Sequence, residues 1–534
     1  MSRVLRASAI MAAGTLVSRV TGFAKAAVLV AALGSDHMGD AYTVANAIPF
    51  ILFDFLIGGV LSSVIVPMVV RHQKDDPDGG RAYEQRLMTI GTVALVLLTA
   101  AAVLLARPLI DLYTTGWSEE RVEVTVTLAR FLLPQIAFVG IGAIAGAILN
   151  TRDRFAAPMW APVLNNLVMI GVLVLYYVTA GEGGSEVGRV SQADLALLGL
   201  GTTGGIVVQC LVLMVSLHRA GFRFRPRFGL REAGLGEMAR RGSWTLVYVT
   251  ITQLGFLVVT NVASAAGDRA GGAGNTAYAQ AYQLFQLPYG IIAVSVITAM
   301  LPRMSRSVAE GDLGSVREEF ASGVRLVSAL LVPAGLLLVV LGPAVTVLVY
   351  SWGNNDLDNA VYIGNVLQVF GLALVPFSIF QLLLRVFYAF GDTRTPVFIG
   401  AGNTVVSIAL SLLSAALLPP RYVVIGLAFA FTAAYVTGIA VAWTLAARRA
   451  GGLNGRAVAA GLSRMYLAAI PGALAALGVL WLTRELTDLS PLSAAVMLAA
   501  GGGLGLVIYL VVAQRMRIPE VSSVVGMVAG RVRR

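Results

Sequence analysis

Unbroken apolar stretches longer than 18 residues recur along the whole chain, and a soluble fold has no way to bury so many of them. Of the 534 residues 57% are hydrophobic and only 13% charged, with a mean hydropathy of +0.81. The strands of a membrane barrel would alternate apolar and polar residues, and these runs do not. The expected fold class is therefore an all-α polytopic membrane protein. Hydropathy and turn signals place about fourteen spans, at 8–32, 40–70, 87–113, 123–149, 156–180, 193–217, 240–265, 274–302, 320–350, 360–389, 396–418, 422–447, 461–483 and 490–514. Spans two and nine are long enough to tilt or to project into water.

Composition also narrows the chemistry. The first apolar stretch lacks a short core followed by an A-x-A cleavage site, so it is expected to remain as a span. A single cysteine, Cys210, lies in an apolar run and allows neither a disulfide framework nor a cysteine metal site. His37, His72 and His218 share no ligand spacing and are expected on surface loops. No phosphate-binding glycine loop follows a strand, and the glycines of VGIGAIAG and AAGGGLGL fit close helix packing better. No metal, nucleotide or other cofactor is expected, and the chain reads as a transporter rather than an enzyme.

Lys and Arg fix the expected orientation. One set of alternate loops and both ends carries 28 basic residues, from Arg3 and Arg6 through the Arg219–Arg241 stretch to Arg534, against 5 in the other set. Both termini are thus expected in the cytoplasm. The net charge of +11 is mostly this topology signal together with attraction to anionic lipid head groups, and nucleic acid is not an expected partner. The turns in GAILNTRDRFAAPMWAPVLNN (146–166) and VFYAFGDTRTPVFIGAGN (386–403) resemble each other, each with an Arg-bearing turn and a Pro shortly after. Two parallel repeats follow from that, and parallel repeats suit a central site between rocking lobes. The expected organisation is an N-lobe at 1–220 (spans 1–6), a C-lobe at 221–450 (spans 7–12), and a last helix pair with a basic tail at 451–534.

Polar residues inside the spans point to the site. Arg19 and Lys25 interrupt the first span, and Asp54 stands near the middle of the second with Asn46, Pro49, Gly58 and Gly59. Ionisable groups at membrane depth normally face a water-filled cavity or each other. Arg19 and Lys25 differ by about 120° around a helix and about 9 Å along it, so both can line one wide cavity, with Gly22 leaving a gap between them. Arg19 and Asp54 fall at similar depth and could pair. In span eight, Tyr278, Tyr282, Phe285 and Tyr289 form an aromatic stripe beside the amides Gln283 and Gln286, suited either to a sugar-peptide surface or to interhelical packing. Gln253 and Asn261 in span seven either extend that surface or tie helices together. Arg107, Arg130, Arg325 and Arg385 lie near span ends, where snorkelling explains them. Fixed cations in a membrane cavity attract phosphate groups, so the residues alone lead to an export or flipping protein for an anionic amphiphile. A cation or drug antiporter, whose cavity would need carboxylates, and a scaffold for cell-wall enzymes at the basic loops are the alternatives.

SRVTGFAKAAVLVAALG (18–34), GDAYTVANAIP (39–49), the 146–166 segment and QLPYGIIAVSVITAMLPRMSRS (286–307) resemble the MurJ/MviN family of lipid II flippases, over residues 8 to 515. The resemblance implies two six-helix lobes around a central cavity plus a C-terminal pair with a groove for the polyprenyl tail. It implies export of the undecaprenyl-pyrophosphate-linked peptidoglycan precursor across the bacterial cytoplasmic membrane; alternating access by a monomer is the expected mechanism, with membrane lipids and cell-wall synthesis proteins as further expected partners. Flipping of another polyprenyl-linked glycan stays open. Arg19 matches the family's cation and Asp40 its acid, while Lys25 stands where an Arg is usual. Ala26 replaces an Asp, Phe53, Asp54 and Gly58 stand in place of an Arg pair and a Glu, and Gln283 in place of an Arg. The resemblance and the polar residues of the spans together give the expected substrate contacts Arg19, Lys25, Asp40, Asn46, Asp54, Gln253, Tyr282, Gln283 and Gln286. An inside-negative potential favours expelling an anion, at about 2.3 kcal/mol per charge per 100 mV, so the expected drive is that potential or coupling to Na+ or H+.

Overall fold

A computed structural model describes residues 3–55, 66–229, 235–270 and 274–522, and among these there is no strand. The helices are α1 (Arg3–Leu33), α2 (His37–Phe53), α3 (Val66–Asp75), α4 (Arg81–Leu104), α5 (Ala106–Tyr113), α6 (Glu119–Leu132), α7 (Gln135–Thr151), α8 (Ala156–Ala180), α9 (Gln192–Arg219) and α10 (Leu235–Ala270). They continue as α11 (Asn275–Pro288), α12 (Val294–Ala309), α13 (Leu313–Tyr350), α14 (Leu357–Ala389), α15 (Arg394–Leu417), α16 (Pro420–Ala450), α17 (Gly455–Leu486), α18 (Pro491–Val496) and α19 (Gly503–Arg515). Thirteen stretches of helix among the described residues are long and apolar enough to cross a membrane. The fourteenth expected span, 40–70, is represented by α2 and α3, and its Gly58 and Gly59 lie outside the described residues.

Two compact units divide the chain: Met1–Asp268 with Gly353–Asn355, and Arg269–Trp352 with Asp356–Arg534. In the first, α1 packs on α8, α8 on α9, α7 on α4 and α9, and α2 on α6. The loop residues Asn354 and Asn355 close the end of α1: the Asn354 N–H and Nδ2 donate to the Ala31 and Ala32 carbonyls at 2.8 and 2.9 Å, and Asn355 Oδ1 accepts from the Ser35 hydroxyl at 2.6 Å. Those bonds satisfy carbonyls that a helix end leaves open. By contrast α10 is thinly packed, with only 11% of its apolar window buried.

The second unit is organised around α14, apolar on every side and 78% buried over its most apolar window, the pattern of a central helix. Around it pack α13, α16, α11 and α12, while α17 covers α13 and α19 covers α17. Two π-turns interrupt spans here. One at Tyr289–Ala293 follows Pro288, whose missing N–H and ring break the regular ladder, and one at Met497–Gly502 runs through the AAGG sequence. Leu467, Leu474, Trp481, Leu506 and Val507 remain exposed on α17 and α19, as expected of surfaces solvated by lipid.

Close helix approach explains some of the glycines singled out from sequence. A Cβ at Gly140 would run into Leu95 and one at Gly505 would lie 2.9 Å from the Gly472 carbonyl oxygen, whereas Gly146 and Gly503 have open space around them. Backbone meets backbone between α13 and α14, where a Cβ at Gly371 would sit 2.8 Å from the Gly335 carbonyl oxygen. Backbone cannot yield as a side chain can, so Gly371→Val is expected to cost about 3 kcal/mol by forcing the two helices apart. Gly402→Ala, in open space on α15, should be neutral or stabilise by up to about 1 kcal/mol. Thermal unfolding of the two variants in detergent checks the pair, and equal stability would contradict the packing.

The two turns that resemble each other in sequence share one geometry. Arg154 N–H donates to the Leu149 carbonyl and Asp153 N–H to that of Asn150, while Asp392 N–H donates to Phe387 and Gly391 N–H to Tyr388. Each is a Schellman turn whose left-handed residue is Asp153 (φ 55°) in one and Gly391 (φ 72°) in the other. Asp392 then caps α15, and although partial burial opposes it, hydrogen bonds from the Thr395 N–H and hydroxyl and from the Arg394 N–H hold its carboxyl below the usual range.

Candidate functional site

Helix α1 is oriented by Asn166 of α8, whose Nδ2 donates to the Ser18 carbonyl at 3.2 Å and to Thr21 Oγ1 at 3.1 Å. Gly14 lies against Trp160 and Gly22 against Asn166 on the same side. At Gly22 a Cβ would meet the Asn166 amide nitrogen at 3.5 Å, an ordinary contact, so the space expected there faces Asn166. Lys25, two turns beyond Ser18 on that side, is half-buried, and Arg19 points elsewhere and is exposed. Neither side chain has a hydrogen bond or ion pair among the described residues.

The pairing of Arg19 with Asp54 is not made. Asp54 ends α2 in an exposed position, its N–H bonded back to the Ile51 and Phe50 carbonyls, and its carboxylate forms no ion pair among the described residues. Instead α2 is anchored at its other end. Asp40, 2% exposed, accepts from Arg121 Nη2 at 3.3 Å, and Arg121, 3% exposed, also binds Asp268 of α10. The guanidinium stacks 3.5 Å from the Trp117 ring centre, and His37 Nε2 lies 3.6 Å from Asp268. Asn46 accepts from Gln135 Nε2 at 3.4 Å. Gln253 is half-buried on α10, and Asn261 ties α10 to α5 through the Leu112 carbonyl at 2.9 Å and the Thr115 N–H at 3.2 Å, the helix-tying alternative of the two.

In the second unit the aromatic stripe of α11 turns inward. Tyr278, Tyr282, Phe285 and Tyr289 pack edge-on and stacked with Phe370, Phe377 and Phe431, with ring centres 4.6 to 5.8 Å apart. The adjoining amides are split: Gln280 is buried and accepts from the Tyr350 hydroxyl at 3.2 Å, Gln286 donates to the Tyr282 hydroxyl at 2.6 Å, and Gln283 is half-buried.

Other sequence expectations shift. His72 lies on α3, not on a loop, stacked 4.1 Å from Tyr83 and 3.0 Å from Asp76, while His37 opens α2 and His218 ends α9. Arg107 and Arg325 are ion-paired rather than merely snorkelling, the first with Asp111 and Glu119, the second with Glu318 and Glu520. Sequence reasoning missed Arg121 altogether. Its signal was an arginine in the first turn of α6 beside Glu119 and Glu120, where the helix dipole favours acids and opposes a cation.

The architecture is that of a multi-pass helical transporter. A solved lipid II flippase MurJ in an inward closed conformation superposes with a TM-score of 0.75 over 95% of this chain and 99% of that one at 18% identity. An inward-facing multidrug resistance MATE family transporter of the MOP superfamily matches with a TM-score of 0.64 at 15% identity, over 81% and 95% of the two chains.

Sequence comparison narrows this to one family. The family model for lipid II flippase MurJ matches residues 29–499, and the chain belongs to that family. A probable lipid II flippase MurJ of Rhizobium meliloti (strain 1021) is 28% identical over 496 residues, covering 91% of this chain and 89% of its own. A probable lipid II flippase MurJ of Vibrio cholerae is 27% identical over 422 residues, 77% of each.

Proposed function

We propose that this protein flips lipid II, carrying the undecaprenyl-pyrophosphate-linked peptidoglycan precursor from the cytoplasmic to the outer leaflet of the bacterial cytoplasmic membrane by alternating access. One observation carries the chemistry: Arg19 and Lys25 are cations within a membrane-spanning helix, and no carboxylate among the described residues neutralises either. Cations kept unpaired at such cost suit an anion that arrives from outside the protein. The pyrophosphate meets that need, and an inside-negative potential favours its outward passage, with Na+ or H+ as further sources of drive. Asp40 holds Arg121 and so positions α2, whereas Gln283, Gln286 and Gln253 offer amides to the sugar and peptide. The Lys and Arg bias of the loops supports cytoplasmic termini.

Depletion of the protein in its native host tests this reading. Lipid II should accumulate with its head group facing the cytoplasm, measured by its resistance to a head-group-cleaving enzyme added outside. Normal outward exposure with mislocalised cell-wall synthases would instead mark a scaffold.

A further inference from the structure

A second, separate cluster of cations lies in the first unit, where the start of α4, the end of α7 and the segment after α9 meet. A cleft of about 290 Å³ there is lined by Asp78, Arg81, Glu84, Gln85, Arg152 and, from 221–229, Arg223, Arg225 and Arg227. Five guanidiniums face two carboxylates, and both carboxylates are already engaged. Glu84, fully buried, holds Arg152 and accepts from Gln73 at 2.8 Å. Asp78 accepts from the Gly80 and Ala82 N–H groups at 3.0 and 2.8 Å. Arg81, Arg225 and Arg227 are left without an ion-pair partner among the described residues.

The segment carrying these arginines is fastened down. Gln85 Nε2 donates to the Arg223 carbonyl at 2.8 Å, the Arg227 N–H donates to Thr89 Oγ1 at 3.2 Å, and Phe222 is buried. An extended strip of like charges repels itself, so holding it in one place has a purpose only if something negative fits there. Gln85 supplies a second, independent sign. Its side chain is 8% exposed, and Oε1 is buried with no hydrogen-bond donor, a cost that a ligand hydroxyl would remove.

We propose that this cleft is a binding site for an anionic phospholipid, with Arg81, Arg225 and Arg227 around the phosphodiester and a head-group hydroxyl donating to Gln85 Oε1. Three span ends meet at the cleft, at Arg81, Thr151 and Arg219, which sets it at head-group level on the Lys/Arg-rich side. Planar guanidiniums grip phosphate oxygens in pairs. The shared chemistry is a phosphate ester beside a hydroxyl, and the lipid rather than a soluble ester is the occupant.

The test titrates the purified full-length protein in neutral detergent with phosphatidylglycerol, phosphatidylmethanol, phosphatidylcholine, glycerophosphoglycerol and inorganic phosphate, and follows the thermal midpoint. Phosphatidylglycerol should raise it at the lowest concentration, and phosphatidylmethanol, lacking the hydroxyl, should act more weakly. With each interfacial cation worth about fivefold, the exposed double variant Arg225→Gln/Arg227→Gln should need about 30-fold more phosphatidylglycerol. Arg189→Gln, exposed in a loop of the opposite set, should titrate as the native protein. Unchanged titration in the double variant, or an equal response to phosphatidylcholine, overturns the site. An equal response to inorganic phosphate or glycerophosphoglycerol overturns the lipid as its occupant.

Discussion

Arg121→Met is expected to lower the thermal midpoint by about 4 °C and to loosen the end of α10. The size follows from what the substitution strands. Asp40 is 2% exposed, and removing the guanidinium ion-paired with it withdraws a partner from a buried carboxylate, at a cost of about 3 to 5 kcal/mol, or roughly 4 °C in a chain of this length. The same guanidinium holds Asp268, and α10 has little other packing. Other ties of α10 in this unit include Asn261 to α5, Phe256 against Tyr113 and the exposed His37 beside Asp268. Amide exchange over 261–268 should therefore accelerate more than exchange over 195–213 of well-packed α9. Combining Arg121→Met with Asp40→Asn should restore much of the stability, because both charges then leave the interior together. If the single variant unfolds like the native protein, Arg121 is not the anchor of α2 and α10.

Hydropathy made the helices legible because lipid demands long apolar runs with every backbone group bonded internally, and a 35-residue stretch such as Asn275–Ala309 satisfies that demand wherever it packs. The site was legible only where a residue was expensive on its own. Arg19 and Lys25 announce themselves as charges inside a span. Arg121 did not, because its partners Asp40 and Asp268 lie 81 and 147 positions away and each looks like an ordinary residue at the end of a span. The tyrosines of α11 were ambiguous for a different reason. A stripe at helical spacing fixes which residues share a face but not what that face meets, and here it meets Phe370, Phe377 and Phe431.

Neutralising a cation of the first helix should slow transport by one to two orders of magnitude while leaving the fold intact. Arg19 is exposed within the chain and makes no bond among the described residues, so Arg19→Ala removes no structural contact and should express and unfold as the native protein does. If it grips the pyrophosphate, each charge-assisted hydrogen bond lost is worth about 1.5 to 3 kcal/mol, a fall of roughly 10- to 150-fold in flipping rate at limiting lipid II. Arg19→Lys keeps the charge but loses the paired donors and should fall between. Lys25→Arg should keep or gain activity, since a guanidinium offers the same diphosphate more donors, whereas Lys25→Met should lose as much as Arg19→Ala. Reconstituted vesicles loaded with labelled lipid II, scored by outer-leaflet accessibility, give the rates directly. The ordering across the four variants separates an anion grip from a general need for polarity in the span. A polarity requirement would let Arg19→Gln work as well as Arg19→Lys, and a double variant Arg19→Ala/Lys25→Met that still flipped at the native rate would remove the cations from the mechanism altogether.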